Sequence, residues 1–224
     1  MRNSYWWANK IRSWNMEWKT GIFPLEMASF LSLCDSHKIK TIIESGRGTD
    51  AYSTQILGKY AEITGAKVVS IDLNPPQENL RRYPIKFLTG NSFHILPDAF
   101  KKQPSPFAFL VDGPKGKEAL RLSCAASYIW GIKVLAHHNV DSPQMFKTIF
   151  PGSFYYEDKG MGDLWSLKQW EKETVKKGIY TGRSLNWGES SLIMTPYADY
   201  ARFRFSWLWI KWILKNNFFN RRKK

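Results

Sequence analysis

The chain has 224 residues, of which 43% are hydrophobic, and it carries a formal net charge of +14. This length and apolar content suit one α/β domain with extra segments. Its cysteines, Cys34 and Cys124, give no disulfide framework or zinc pattern and fit a reducing compartment. The sequence shows no signal-peptide core and no run of about 18 apolar residues, so we expect neither a secretory leader nor a spanning helix. The charge predicts attraction to an anionic partner, either nucleic acid or acidic lipid.

The first predicted unit, residues 1–38, is helical and rich in tryptophan. An apolar pattern over Pro24–Ser36 indicates a helix that leads into the first strand. We interpret the tryptophans as core residues or as a cover over a pocket. They are Trp6, Trp7, Trp14 and Trp18.

The next segment, residues 40–50, predicts the first strand-turn-helix unit of a sheet. Apolar and β-branched residues run into Glu44, then Gly46 and Gly48 follow, and a helical pattern resumes near Ala51. Glycine allows the backbone to turn sharply and to approach a ligand closely. Two glycines alone are a weak signal of nucleotide binding, so this prediction depends on the strands later in the chain.

Further apolar runs separated by helical patterns predict the rest of the sheet. Continuous apolar runs are typical of parallel strands that helices cover on both faces. We therefore predict an α/β fold with a doubly wound, mostly parallel, Rossmann-like sheet. The runs are 67–72, 85–88, 107–112 and 133–139, with closing strands at 152–157 and 190–195 and a mobile cover over 160–177.

Polar residues end several of these predicted strands. Ligands in doubly wound sheets bind at the carboxyl ends of the strands, so side chains placed there should converge on one site. An acid at the end of the second strand, here Asp72, can accept hydrogen bonds from both ribose hydroxyls of an adenosine. The residues at such ends are Glu44, Asp72, Ser92, Asp112, His138 and Asn139.

At these residues the sequence resembles the class I S-adenosylmethionine-dependent methyltransferases, over roughly residues 38–140. The stretch from Glu44 to Gly48 is similar to the first motif of that family, although Asp50 stands where a third glycine is common. Asp72 resembles the acid that holds the ribose, and the segment from Gly90 to Pro97, which includes Ser92, resembles the adenine-side segment of the cation-dependent O-methyltransferases in that family. The resemblance implies S-adenosylmethionine as cofactor. The cofactor-binding residues that it implies are Glu44, Gly46, Gly48, Asp72, Ser92 and Asp112.

The resemblance narrows toward the cation-dependent, catechol-type O-methyltransferases. The stretch from Asp112 to Lys115 resembles their Asp-x-x-Lys, in which the Asp binds a metal and the Lys is a proposed base. His138 stands where that family has aspartate. One alternative is a divalent cation held by Asp112, His138 and Asn139, with manganese, iron or zinc favoured over magnesium. The other is no metal, with His138 as the base. For its neighbour His137 we expect a side chain that points away from the pocket.

The last predicted unit, residues 197–224, is an amphipathic, basic and aromatic tail. Wound as a helix, it would place a cationic stripe opposite a wide apolar face, which is typical of an interfacial membrane helix. A helix packed on the domain or on a second subunit, and a nucleic-acid contact, stay open as alternatives. The cationic residues are Arg204, Lys211 and Lys215, and the apolar residues are Phe203, Trp207, Ile210 and Leu214.

Together these features predict an enzyme with residues 39–196 as its cofactor-binding domain. We expect methyl transfer to an oxygen of a small-molecule, glycan or lipid-linked acceptor, with Lys115 or His138 as the base. Cephalosporin-hydroxylase-like proteins and polysaccharide O-methyltransferases are similar at the Gly-Pro-x-Gly turn, so the acceptor stays open. The alternatives are a non-catalytic membrane-surface binding protein of the same fold and a nucleic-acid methyltransferase. We expect a cytoplasmic protein, peripheral at the inner membrane face if residues 203–224 bind anionic lipid.

Overall fold

The computed structural model describes residues 2–16, 21–101, 103–141, 143–155, 192–196 and 198. Helices and strands alternate through most of this part of the chain. The helices are α1 (Ser4–Ser13), α2 (Pro24–Ser36), α3 (Tyr52–Thr64), α4 (Ser92–Lys101), α5 (Gly116–Trp130) and α6 (Pro143–Ile149), with one 3-10 turn at Glu78–Leu80. The strands are β1 (Thr41–Ser45), β2 (Lys67–Asp72), β3 (Ile85–Thr89), β4 (Phe107–Val111), β5 (Val134–His138), β6 (Phe154–Tyr155) and β7 (Leu192–Pro196).

The seven described strands form one sheet in the order β3-β2-β1-β4-β5-β7-β6. Strands β1 to β5 pair in parallel, and β7 runs antiparallel to both β5 and β6. The predicted doubly wound, mostly parallel sheet is therefore confirmed. The strand order reverses between β1 and β4, and the crevice at such a reversal is where ligands bind in sheets of this kind.

Two apolar cores cover the two faces of the sheet. The neighbouring residues Ile42 and Ile43 fall in different cores, because successive side chains of a strand point to opposite faces. The helices α1, α2 and α3 pack in the core of Ile42, where the indole of Trp7 lies against Tyr60 with ring centroids 5.1 Å apart. The helices α4, α5 and α6 pack in the core of Ile43. Part of the tryptophan-rich segment therefore shares a core with the sheet, and a domain boundary at residue 38 stays a prediction.

The antiparallel strand β7 brings the chain back to the amino edge of the sheet. Leu192 pairs with His138 at the carboxyl end of β5, and Pro196 pairs with Val134 at its amino end. The backbone N–H of Leu192 also donates to Oε1 of the buried Glu26 on α2, at 2.8 Å. This bond joins the last described strand to a helix near the start of the chain.

Most predicted elements lie close to their observed bounds. The strand at 67–72 and the helix at Pro24–Ser36 match the structure. For the predicted strand at 152–157, β6 begins at Phe154, and residues 156–157 lie outside the described part of the chain; α6 was not predicted. The predicted cover over 160–177 lies outside the described residues, as does the tail except for Ala198. In the part of the chain that the structure describes, helices are too short or too polar to cross a membrane.

Candidate functional site

The turns after β1 and β4 lie against each other at the centre of the carboxyl edge. The carbonyl oxygen of Ser45 accepts hydrogen bonds from the backbone N–H groups of Asp112 and Gly113, both at 2.8 Å. Gly46 has a φ of +88°, and a Cβ there would lie 2.5 Å from the backbone nitrogen of Gly113. Gly46 is therefore required by the contact between the two turns. Gly48, with a φ of +66°, has no atom within 4 Å of the corresponding Cβ position, so its backbone is open to a close approach.

Asp72, at the end of β2, is fixed by two backbone hydrogen bonds. Its Oδ2 accepts from the N–H of Arg47 at 2.7 Å, and its Oδ1 accepts from the N–H of Asn74 at 2.8 Å. The carboxylate is partly exposed. Because each carboxylate oxygen can accept a further hydrogen bond, Asp72 keeps the capacity to receive ribose hydroxyls.

Arg47, which the sequence did not single out, is buried at 5% exposure beneath this loop. Its Nη1 donates to the carbonyl oxygen of Ser70 at 3.1 Å, and its Nη2 donates to the carbonyl oxygen of Asn74. The guanidinium also lies over the ring of Phe87, 5.4 Å from the centroid. Burial lowers the pKa of Arg47, while the negative charges of Asp72 and Glu44 raise it, and the group stays protonated. Arg47 thus ties the glycine turn to the chain that leaves β2.

Glu44 lies in the interior below the turn and is fully buried. Its Oε1 accepts from Ser53 Oγ at 2.7 Å, and its Oε2 accepts from Thr54 Oγ1 at 2.7 Å and from Ser70 Oγ at 2.6 Å. Burial raises the pKa of Glu44 to about 7, although the three hydroxyl donors lower it. Because Glu44 is fully buried, direct contact with a cofactor would require the turn above it to move, and its cofactor-binding role stays a prediction.

Ser92 is the first residue of α4 and is tied to the same pair of turns. Its Oγ lies 2.7 Å from Ser45 Oγ, which in turn donates to the carbonyl oxygen of Gly113. Ser92 therefore helps to position the start of α4 at the carboxyl edge. Its contact with a cofactor stays a prediction.

Asp112, His138 and Lys115 form a cluster at the ends of β4 and β5. Oδ1 of Asp112 lies 2.5 Å from Nδ1 of His138 and 2.7 Å from Nζ of Lys115. Burial raises the pKa of Asp112, but the hydrogen bonds and charges of His138 and Lys115 outweigh this and hold it below its ordinary value. The side chain of His138 is 7% exposed, whereas that of Lys115 is 56% exposed. A carboxylate on Nδ1 orients the ring and leaves Nε2 to take a proton, which is the arrangement of a base with its orienting partner.

The direct bond between Asp112 and His138 bears on the metal prediction. A cation between the two side chains would have to replace this bond. Asn139 is exposed, with a φ of +55°. Among the described residues, no group of three or more His, Cys, Asp or Glu side chains is placed to hold a metal ion. Asp112 and His138 would therefore have to separate to hold a metal ion between them, and the cation site at Asp112, His138 and Asn139 stays a prediction.

His137 lies on the opposite face of β5 from His138, as the alternation of strand residues predicts. Its Nδ1 lies 3.0 Å from Ser123 Oγ on α5, and its ring meets the edge of Phe146. Burial, reinforced by the positive charges of Lys115 and His138, lowers the pKa of His137 to about 4. The imidazole is therefore a neutral core group at neutral pH.

The chain is similar to known proteins in structure only. No family model and no curated protein matches the chain. Among solved structures it is similar to CmcI in its apo form, at 14% identity over 59% of this chain and 63% of that one, with a TM-score of 0.42. It is also similar to the methyltransferase PaMTH1 of Podospora anserina bound to S-adenosylhomocysteine (SAH), at 10% identity over 85% and 87% of the two chains, with a TM-score of 0.42.

A third solved structure is the MycE methyltransferase of the mycinamycin biosynthetic pathway in complex with Mg and SAH. The chain is 11% identical to it over 85% of this chain and 54% of MycE, with a TM-score of 0.46. The chain spans just under two thirds of two CmcI structures, the apo form at 63% and the SAH form at 66%. These likenesses concern the fold alone.

Proposed function

We propose that the chain is an S-adenosylmethionine-dependent methyltransferase that methylates an oxygen of a small-molecule, glycan or lipid-linked acceptor. The observation that carries the proposal is the Asp112–His138 pair, with its 2.5 Å hydrogen bond, at the same edge of the sheet as the glycine turn and Asp72. A base with an orienting carboxylate beside an adenosine-binding acid suits deprotonation of a hydroxyl next to a bound cofactor.

The carboxyl edge fits the cofactor in three respects. Asp72 is already oriented by two backbone donors and keeps lone pairs for the ribose hydroxyls. The open space at Gly48, in the turn before α3, allows the backbone to approach a carboxylate. Leu73, which follows Asp72, is 71% exposed and offers an apolar surface for a flat ring.

Asp112, His138 and Lys115 would then have different roles in methyl transfer. When bound, the cofactor supplies an electrophilic methyl group on a positively charged sulfur. His138, held at Nδ1 by Asp112, would take the acceptor proton at Nε2, and the exposed Lys115 would contact the acceptor or serve as the alternative base. Positioning of the acceptor lowers the barrier most, and the base contributes roughly 10²–10⁴-fold.

Isothermal titration with S-adenosylmethionine and SAH, with and without a divalent cation, tests the proposal. We expect micromolar binding by the full chain. Asp72→Ala should weaken binding at least about tenfold, because hydrogen bonds to a charged group are worth roughly 1.5–3 kcal/mol. The matched control Asp98→Ala changes an exposed acid on α4 and should bind like wild type.

The outcomes separate the alternatives. An absence of binding under all conditions would overturn the methyltransferase proposal. Tight SAH binding without methyl transfer to hydroxylated acceptors would favour a non-catalytic binding protein of the same fold. An effect of the cation on affinity would support the predicted site at Asp112, His138 and Asn139.

A further inference from the structure

At the edge of the sheet opposite the candidate site, the loops that lead into the parallel strands contain neither aspartate nor glutamate. Five connections lead into the amino ends of the parallel strands β1 to β5, and their sequences contain lysine and arginine but neither aspartate nor glutamate. Exposed lysines also lie directly beside them, at the end of α4 and the start of β2 and β3. The connections are residues 37–40, 65–66, 81–84, 102–106 and 131–133.

We name five exposed lysines of this edge the amino-edge basic surface. None of the five forms an ion pair with a residue that the structure describes. By contrast, the acids Asp72, Asp112 and Asp141 lie at or just beyond the carboxyl ends of the strands. Acids also lie in the helices that end at the amino edge, at Asp35, Glu62 and Asp98. The surface is therefore defined by its five lysines and by the connections beside them, not by an absence of acids from this side of the sheet. The members of the surface are Lys38, Lys40, Lys67, Lys86 and Lys101.

A groove of about 420 Å³ opens within this surface, beside the amino ends of β2 and β3. Lys67 and Lys86 line it together with Pro84 and Gln103. Two ammonium groups beside an open groove of this size provide a place for a phosphate-bearing headgroup.

The C-terminal part of the chain is attached at this same edge. Strand β7 ends at Pro196 opposite the amino end of β5, and the N–H of Ala198 donates to the carbonyl oxygen of Lys133 at 3.0 Å. Residues 199–224 follow Ala198 in the sequence and lie outside the described residues. Their sequence is rich in tryptophan, phenylalanine and leucine and ends in Arg221-Arg222-Lys223-Lys224.

We propose that the amino-edge basic surface docks on a membrane that contains anionic lipid, which would leave the candidate site open to an acceptor in solution rather than to a lipid-linked one. The lysines would contact the lipid headgroups. The sequence of 199–224 combines aromatic and aliphatic residues with a basic end, a composition that favours an anionic lipid surface over nucleic acid. The proposal does not depend on methyl transfer.

Partition of the full chain onto vesicles of 70% phosphatidylcholine and 30% phosphatidylserine tests the proposal. We expect binding to these vesicles, little binding to pure phosphatidylcholine, and weaker binding in high salt. Each lysine near such a surface contributes about fivefold in affinity. The triple variant K40Q/K67Q/K86Q should therefore bind roughly 100-fold more weakly.

The matched control is K10Q/R12Q/K117Q, which removes the same charge from α1 and the start of α5, outside the five connections. It should keep wild-type binding to within a few-fold. Equal losses in both triple variants, or no vesicle binding by wild type, would overturn the proposal. Tighter binding to a single-stranded RNA that displaces the vesicles would overturn it in favour of nucleic acid. Thermal unfolding of both variants checks that they remain folded. The vesicle result stands apart from the SAH titration, which tests the proposed methyl transfer.

Discussion

Replacement of Glu44 by glutamine should convert a nearly flat dependence of stability on pH into a rising one. Burial raises the pKa of Glu44 from 4.5 to about 7, so its folded state binds the proton more tightly than the unfolded state. Its contribution to stability is complete below pH 4.5 and is lost as the pH rises to about 7. The total change is about 3 kcal/mol.

His137 acts in the opposite direction over the same range. Burial lowers its pKa from 6.5 to about 4, so stability is lost as the pH falls from 6.5 toward 4. Between pH 4.5 and 6.5 the two slopes are each about 1.4 kcal/mol per pH unit and oppose each other. Asp112, whose pKa is lowered below 3.8, keeps its stabilising contribution above pH 4.5 and adds little to the slope there.

Urea unfolding between pH 4.5 and 6.5 measures how the free energy of unfolding depends on pH. Wild type should change little, whereas Glu44→Gln should gain about 3 kcal/mol of unfolding free energy across the range, because the titration of Glu44 no longer opposes that of His137. His137→Gln should show the reverse trend. Glu62→Gln, at an exposed ion pair with Lys59, is the control and should follow wild type. A Glu44→Gln profile parallel to that of wild type would refute the reasoning.

Other predictions concern the turn and the cluster. Gly46→Ala should destabilise the fold by roughly 3 kcal/mol through its clash with Gly113, while Gly48→Ala should cost only about 1–2 kcal/mol of left-handed strain; urea unfolding compares them. His138→Gln should keep SAH affinity but slow methyl transfer to hydroxylated acceptors about 10²–10⁴-fold, and an unchanged rate would exclude His138 as the base. Arg47→Met should weaken SAH binding about tenfold in calorimetry, since it loses charged hydrogen bonds that hold the loop after Asp72; unaltered affinity would contradict this role.

The sheet could be predicted because its signals are local. Each parallel strand is a short apolar run bounded by glycine, proline or polar residues, and β2 matched its predicted range. Alternation along β5 also separated His137 from His138. The short helix α6 carries a single buried residue, Phe146, and gave no periodic pattern to detect.

The details of the candidate site depend on contacts between distant segments. An arginine in a glycine turn suggests a solvent-exposed group, and Arg47 is buried only because carbonyl groups after β2 and the ring of Phe87 surround it. Glu44 was interpreted as a cofactor ligand, yet hydroxyls from α3 and β2 occupy both of its oxygens. The sequence placed Asp112 and His138 at one edge but gave no means to distinguish a shared metal from a direct hydrogen bond.

The pairing of β7 with β5 has a consequence for the order in which the chain folds during synthesis. Strand β5 is made by residue 138, but the strand that pairs with its outer side is not made until residues 192–196. The same segment supplies the N–H that reaches Glu26, 166 positions earlier. A nascent chain would therefore carry an open sheet edge from the synthesis of β5 until that of β7, and such edges recruit other strands. Emergence of residues 192–196 from the ribosome would end this exposure.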